Sequence, residues 1–366
     1  MTYYAVIGGW ILKYILLFAT GNVETAAQDN CFTSFITEPG SVWYGLIFML
    51  ITSFIVYNGV EKGIERVSKT MMPILLVIVV GIAIYSLTLK STADDGSIRT
   101  GMQGLKVYLT PDWSGMTVSR FLQIALDAMS QLFFSLSVSM GIMITYGSYV
   151  KKDVDLNKAV SQIEIMDTGV AFLAGVMIIP AVFAFSGGDP DTLQAGPALM
   201  FITIPKVFAS MGFGTLVGIL FFVLVLCAAL TSSIALTESA VSTFQDELKW
   251  CRQKSTLVVG AIMVVLGSLS SLGYGPLASI QIIGMQFLDF FDFLTNSVMM
   301  PISATCVCLL VSKVIGVDQI AKEVKSHNNP FKREKIFNFM IKYICPIFAA
   351  IILLSSVANA FGIIKM

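Results

Sequence analysis

Gln131-Leu-Phe-Phe-Ser135-Leu-Ser137-Val-Ser139-Met140-Gly141 lies inside an apolar run at 121–149. A transmembrane helix needs about 20 mostly apolar residues, and this run is long enough. Yet three serines at spacing two cannot share one helical face, because residues i and i+2 point about 200° apart. Ser and Gly also favour local departures from the helix. Two readings follow. An unwound stretch frees carbonyls and hydroxyls for a cation, and helix ends for a charged substrate. Small residues packing one helix against another account for the same letters equally well.

The surrounding composition is that of a membrane protein. Of 366 residues, 56% are hydrophobic and 13% charged, with 26 Phe and 19 Met. Soluble domains carry about 25% charged residues, so a soluble enzyme or a disordered chain is excluded. The net charge is zero, which leaves no basic surface for nucleic acid. The six cysteines have no metal-ligand or disulfide-framework spacing, and the one histidine, His327, lies in a polar stretch. No nucleophile with a base, metal-ligand set or phosphate loop appears, so the chain is not read as an enzyme.

Nine apolar segments stand out, at roughly 3–19, 43–58, 67–89, 121–149, 164–186, 213–246, 255–272, 281–312 and 337–361. They are not the ten-residue alternating segments of an outer-membrane barrel. The predicted fold class is therefore an all-α integral membrane bundle. Lys62, Arg66 and Lys69, then Lys151, Lys152 and Lys158, then Lys249, Arg252 and Lys254 fall in alternate loops, as do six more from Lys313 to Lys335. That is 15 of the 23 basic residues, while the loops at 20–42 and 273–280 hold none. The basic set is expected to face the cytoplasm of a multi-pass plasma-membrane protein, with the C-terminus outside.

Hydroxyls and carbonyls are the hard oxygen ligands that simple cations need, and Ala228-Ala229-Leu230-Thr231-Ser232-Ser233 supplies both. Hydrogen bonding between packed helices is the commoner use of such a run. Intramembrane acids are costly and mark function by default; Asp167, Glu238, Asp289 and Asp292 qualify, or lie at the interface. Cys306-x-Cys308 sits in an apolar helix and is read as packing.

Taken in order, several motifs resemble the neurotransmitter:sodium symporter family, and its bacterial amino-acid transporters in particular. Tyr3-Tyr4 with Gly9-Trp10 resembles the middle of the family's third helix. Gly63-Ile64-Glu65-Arg66 with Met72-Pro73 is similar to the entry to its fifth. Gly104-Leu105, Tyr108-Leu109 and Pro111-Asp112 are similar to the outer loop before helix six, and 131–149 to the broken helix six itself. Leu230 to Ile234, then Asp246-Glu247-Leu248, resembles helix eight.

The resemblance implies helices 3–11 of an inverted-repeat fold with one broken helix. The chain would form a single transport domain, 1–366, with an incomplete first repeat at 1–90, a second at 119–313 and a final helix at 337–361. It also implies sodium-coupled symport of a neutral amino acid by alternating access. Ala228, Thr231 and Ser232 would serve one sodium site, and Ser135 and Asp167 the other. Tyr4 would bond the substrate carboxylate, while Phe134, Ser137, Met140, Ser233 and Leu236 line the side-chain pocket. Asp289 and Asp246 would belong to the outer and inner gates. Asp167 stands where Asn is common in the family, and its charge is expected to replace a bound chloride, so that chloride is not required. The partners implied are an amino acid, sodium and the bilayer.

The family's first two helices have no counterpart here. On that basis the chain is expected to be a truncated product or a gene model with a misplaced start. The alternative function is then a non-transporting membrane remnant that lacks half of the substrate and ion sites. A channel is a weaker reading, because the polar residues cluster at two breaks instead of lining one face.

Overall fold

The computed structural model describes residues 1–92, 98–111, 113–185, 196–326 and 331–360. His327, Asp112 and the end of the expected last helix at 361 lie outside them. The described chain is mostly helical, because long apolar runs can satisfy their backbone polar groups only within a helix. Its helices are α1 (Tyr4–Ala19), α2 (Asp29–Thr37), α3 (Ser41–Tyr57), α4 (Val60–Thr88), α5 (Gly101–Leu109), α6 (Val118–Ser135) and α7 (Ile142–Tyr149). They continue with α8 (Leu156–Phe185), α9 (Gly196–Ala209), α10 (Gly214–Leu248), α11 (Arg252–Leu272), α12 (Phe287–Ile315), α13 (Val317–Lys325) and α14 (Glu334–Ala358). A two-stranded antiparallel hairpin, β1 (Lys90–Thr92) with β2 (Ile98–Thr100), follows α4 and pairs Ser91 with Arg99.

Among the described residues, six helices are long and apolar enough to cross a membrane: α4, α8, α10, α11, α12 and α14. Three of the nine expected segments are not single helices of spanning length. The first, α1, has only 16 residues. The second, α3, has 17 residues and meets the span criteria only together with α2, from which it is bent by 77°. The third, at 121–149, is divided between α6 and α7. A further difference is at 164–186, where α8 begins earlier, at Leu156. Asp167 therefore sits three turns inside its helix instead of near its start.

The chain falls into two compact units. One contains residues 1–112 and 169–288; the other contains 113–168 and 289–366. The core of the first is α1 packed on α3 and α10. Its close approach is made by glycine: a Cβ on Gly9 would lie 2.5 Å from the Gly45 nitrogen, and one on Gly8 2.6 Å from the Phe48 ring. Only residues without side chains let two membrane helices meet backbone to backbone. Above this crossing, Trp10, Tyr14, Phe32, Phe201 and Phe222 form an aromatic cluster, with Trp10 edge-on to Phe32 at 5.1 Å and Phe32 stacked on Phe201. The buried Tyr14 hydroxyl donates to the Phe201 carbonyl at 2.7 Å, which satisfies that buried polar atom of the cluster.

In the second unit, α12 packs against α14. Two ion pairs tie down its basic segment: Arg333 to Glu164 at 3.1 Å and Lys325 to Glu334 at 2.6 Å.

Candidate functional site

The candidate residues fall on elements of both units. In the first unit, α10 carries six of them. A 35-residue helix is buried on most sides when other helices surround it, and α10 buries Cys227, Ala229, Leu230, Ser233, Ile234 and Ala235. Ala228, Thr231, Ser232 and Leu236 escape full burial, and Ser232 is exposed. Ala228, Ser232 and Leu236 are spaced by four residues and Thr231 lies three after Ala228, so they form one broad stripe along the helix.

On that stripe the Thr231 hydroxyl donates to the carbonyls of Cys227 and Ala228, both at 3.0 Å. The bond leaves the Thr231 oxygen lone pairs available and holds them beside the Ala228 carbonyl. Tyr4, half-buried in the first turn of α1, has its hydroxyl beside that of Ser232. One phenol, two hydroxyls and a carbonyl thus gather within a turn of α10.

Ser233 points elsewhere. It is fully buried and shares a hydrogen bond of 3.0 Å with Thr52 of α3. Successive helical residues are rotated by about 100°, so Ser232 and Ser233 face different neighbours. Thr52 also donates to the Phe48 carbonyl at 3.0 Å. It is a polar residue of this cluster that sequence reading missed, and its only signal was a lone Thr in an apolar helix.

In the second unit, helical hydrogen bonding stops at Ser135 and resumes at Ile142. Between them Ser137, Ser139 and Gly141 take positive φ values of 52°, 64° and 80°. Left-handed backbone is uncommon outside glycine and clusters at functional sites. At the α6 end of this interruption the Ser135 hydroxyl donates to Asp167 Oδ1 of α8 at 2.7 Å. A charge-assisted O–H···O⁻ bond has this length. The carboxylate and the C-terminal end of α6 place negative charge together, while the N-terminus of α7 carries partial positive charge. Phe134 is 38% exposed, and Ser137 and Met140 are half-buried.

The remaining acids behave differently from one another. Asp246 lies exposed in the last turn of α10, and Asp289 lies exposed in the first turn of α12. Glu238, by contrast, is fully buried. Arg252 holds it with two nitrogens, at 3.0 and 2.5 Å, and donates to the Val56 carbonyl at 3.0 and 2.8 Å. Its role is structural: the pair joins the ends of α3, α10 and α11.

The model of the sodium:neurotransmitter symporter family matches residues 26–363. An uncharacterized sodium-dependent transporter, YhdH of Bacillus subtilis, is 34% identical across 100% of this chain and 77% of its own length. An uncharacterized sodium-dependent transporter of Haemophilus influenzae is 30% identical, over 97% of this chain and 76% of its own. The crystal structure of MhsT in complex with L-phenylalanine superposes with a TM-score of 0.81 at 36% identity, covering 97% of this chain and 78% of that one. With apolar membrane helices, a family match over most of its length and relatives of this likeness, the chain is a multi-pass membrane protein that belongs to the sodium:neurotransmitter symporter family, a family of sodium-dependent transporters.

Proposed function

We propose that the protein couples sodium entry to the uptake of a neutral amino acid with an apolar side chain, by alternating access. The observation that carries this is the Ser135–Asp167 hydrogen bond at the interrupted end of α6. A carboxylate, a hydroxyl and helix-end carbonyls form a hard, anionic oxygen set suited to a small cation. In this reading Ser135 and Asp167 contribute to one sodium site, and Ala228, Thr231 and Ser232 to the other. Tyr4 takes the substrate carboxylate, and its place beside Ser232 links substrate and ion occupancy within the first unit. Phe134, Met140 and Leu236 favour an apolar side chain. Ser137 shares the helix interruption with Phe134 and Met140 and contributes with them, and Ser233, bonded to Thr52 within the first unit, contributes with Leu236. Asp289 and Asp246 act at the outer and inner gates.

The L-phenylalanine bound to MhsT supports the substrate class. The Asp167 carboxylate supplies fixed negative charge, so transport needs no chloride. The basic loops face the cytoplasm of a bacterial plasma membrane.

Uptake of labelled amino acids into cells expressing the protein from its own gene tests this reading. Sodium is expected to stimulate uptake of phenylalanine or leucine several-fold, with lysine and glutamate failing to compete. Equal uptake in sodium and in choline would overturn the proposal.

A further inference from the structure

We propose that the groove between α3 and α11 is a binding site for an anionic phospholipid. The groove has a volume of about 460 Å³ and almost wholly apolar walls, a size typical of small-molecule sites. Leu50 and Phe54 on α3 and Leu257 on α11 face outward along it, 65%, 69% and 67% exposed. In a membrane protein such a face meets acyl chains.

One end of the groove is different. Arg252 donates to the Val56 carbonyl, which brings the end of α3 and the start of α11 to the same level. There Tyr57 contributes a phenol to the lining. Lys254 lies one turn before Leu257 on the same helical face, its Nζ 4.1 Å from the centre of the Trp250 ring. Between the charged end and the apolar walls sits Thr256, 2% exposed and part of the lining, with no hydrogen-bond partner for its Oγ1.

Cation, then orphan hydroxyl, then apolar slot is the order of groups along a glycerophospholipid. The Lys254 ammonium and the Tyr57 hydroxyl meet the phosphate, an ester carbonyl accepts from Thr256 once its buried hydroxyl turns into the groove, and the acyl chain lies over Ala261 and Phe54. Arg252 is committed to Glu238, so Lys249 and Lys254 supply the cationic field at this level. A choline headgroup would set its own cation against them. The site therefore selects phosphatidylglycerol over phosphatidylcholine.

Native mass spectrometry of the purified protein, titrated with each lipid at matched chain length, tests this. Wild-type protein is expected to retain phosphatidylglycerol preferentially. Lys254→Gln is expected to lower that preference about fivefold, the effect of one basic residue at an anionic headgroup. Ala261→Phe fills the slot and is expected to displace both lipids, and Thr256→Val to weaken both. Equal retention of the two lipids by wild type, or variants that retain lipid as wild type does, would overturn the proposal. So would a dimer that Ala261→Phe dissociates with lipid content unchanged, because the groove would then belong to a second copy.

Discussion

An ionised carboxylate only accepts hydrogen bonds, and Asp167 accepts one from Ser135 at 2.7 Å. An acid inside an apolar helix costs free energy unless it is partnered. In the proposed cycle, sodium is that partner when the protein is loaded. Asp167→Asn keeps the shape and removes the charge. It is expected to raise the sodium concentration for half-maximal uptake about tenfold, the weight of one hydrogen bond to a charged group, and to make uptake respond to chloride. An Asp167→Asn protein with unchanged sodium and chloride responses would contradict the role given to this carboxylate. Tyr4→Phe removes the hydroxyl that meets Ser232. The KM for the amino acid is expected to rise about tenfold, in line with a lost bond to a charged carboxylate, with a smaller change in sodium dependence.

Helices in this protein are held by contacts that leave little room for change. A side chain at Gly9 would run into the backbone of α3 at Gly45, and overpacking typically costs about 1–3 kcal/mol. Gly9→Leu is expected to lower the thermal unfolding temperature in detergent markedly, and Gly40→Ala, where a Cβ has open space, to leave it near wild type. The Glu238–Arg252 pair is the other constraint, joining α10 and α11 to α3. Removing one partner of a buried pair typically costs about 3–5 kcal/mol, so Arg252→Met is expected to destabilise strongly. Replacing both, Glu238→Met with Arg252→Met, should recover part of the loss. This pair was not legible in the sequence. Glu238 reads as an intramembrane acid with a functional role, because the turn that returns Arg252 to it passes through Lys249 in left-handed backbone, which no hydropathy pattern signals. The conflict between serine spacing and helix at 131–141 was legible, since it rests on local chemistry alone. Which neighbour each of Ser232 and Ser233 faces was not. That depends on the rotation of α10 against α1 and α3, set by the glycine contacts at a distance in sequence.

Across the whole molecule, membrane residence was plain from composition, because a chain with so few charges cannot cover itself with a wetted surface. The number of full spans was less plain. Runs such as 3–19 and 43–58 are mostly apolar and form helices of their own length, 16 and 17 residues, and hydropathy alone does not report whether helices that short cross a bilayer. The assignment to a sodium-dependent transporter family rests on likeness over nearly the entire chain; coupling to an amino acid is the proposal. The measurement that tests it most directly is the joint entry of radioactive sodium and labelled phenylalanine into proteoliposomes containing the protein. The account predicts that phenylalanine entry requires sodium outside, and that sodium entry rises when phenylalanine is added. Phenylalanine entry indifferent to sodium, or sodium entry indifferent to every neutral amino acid, would contradict it.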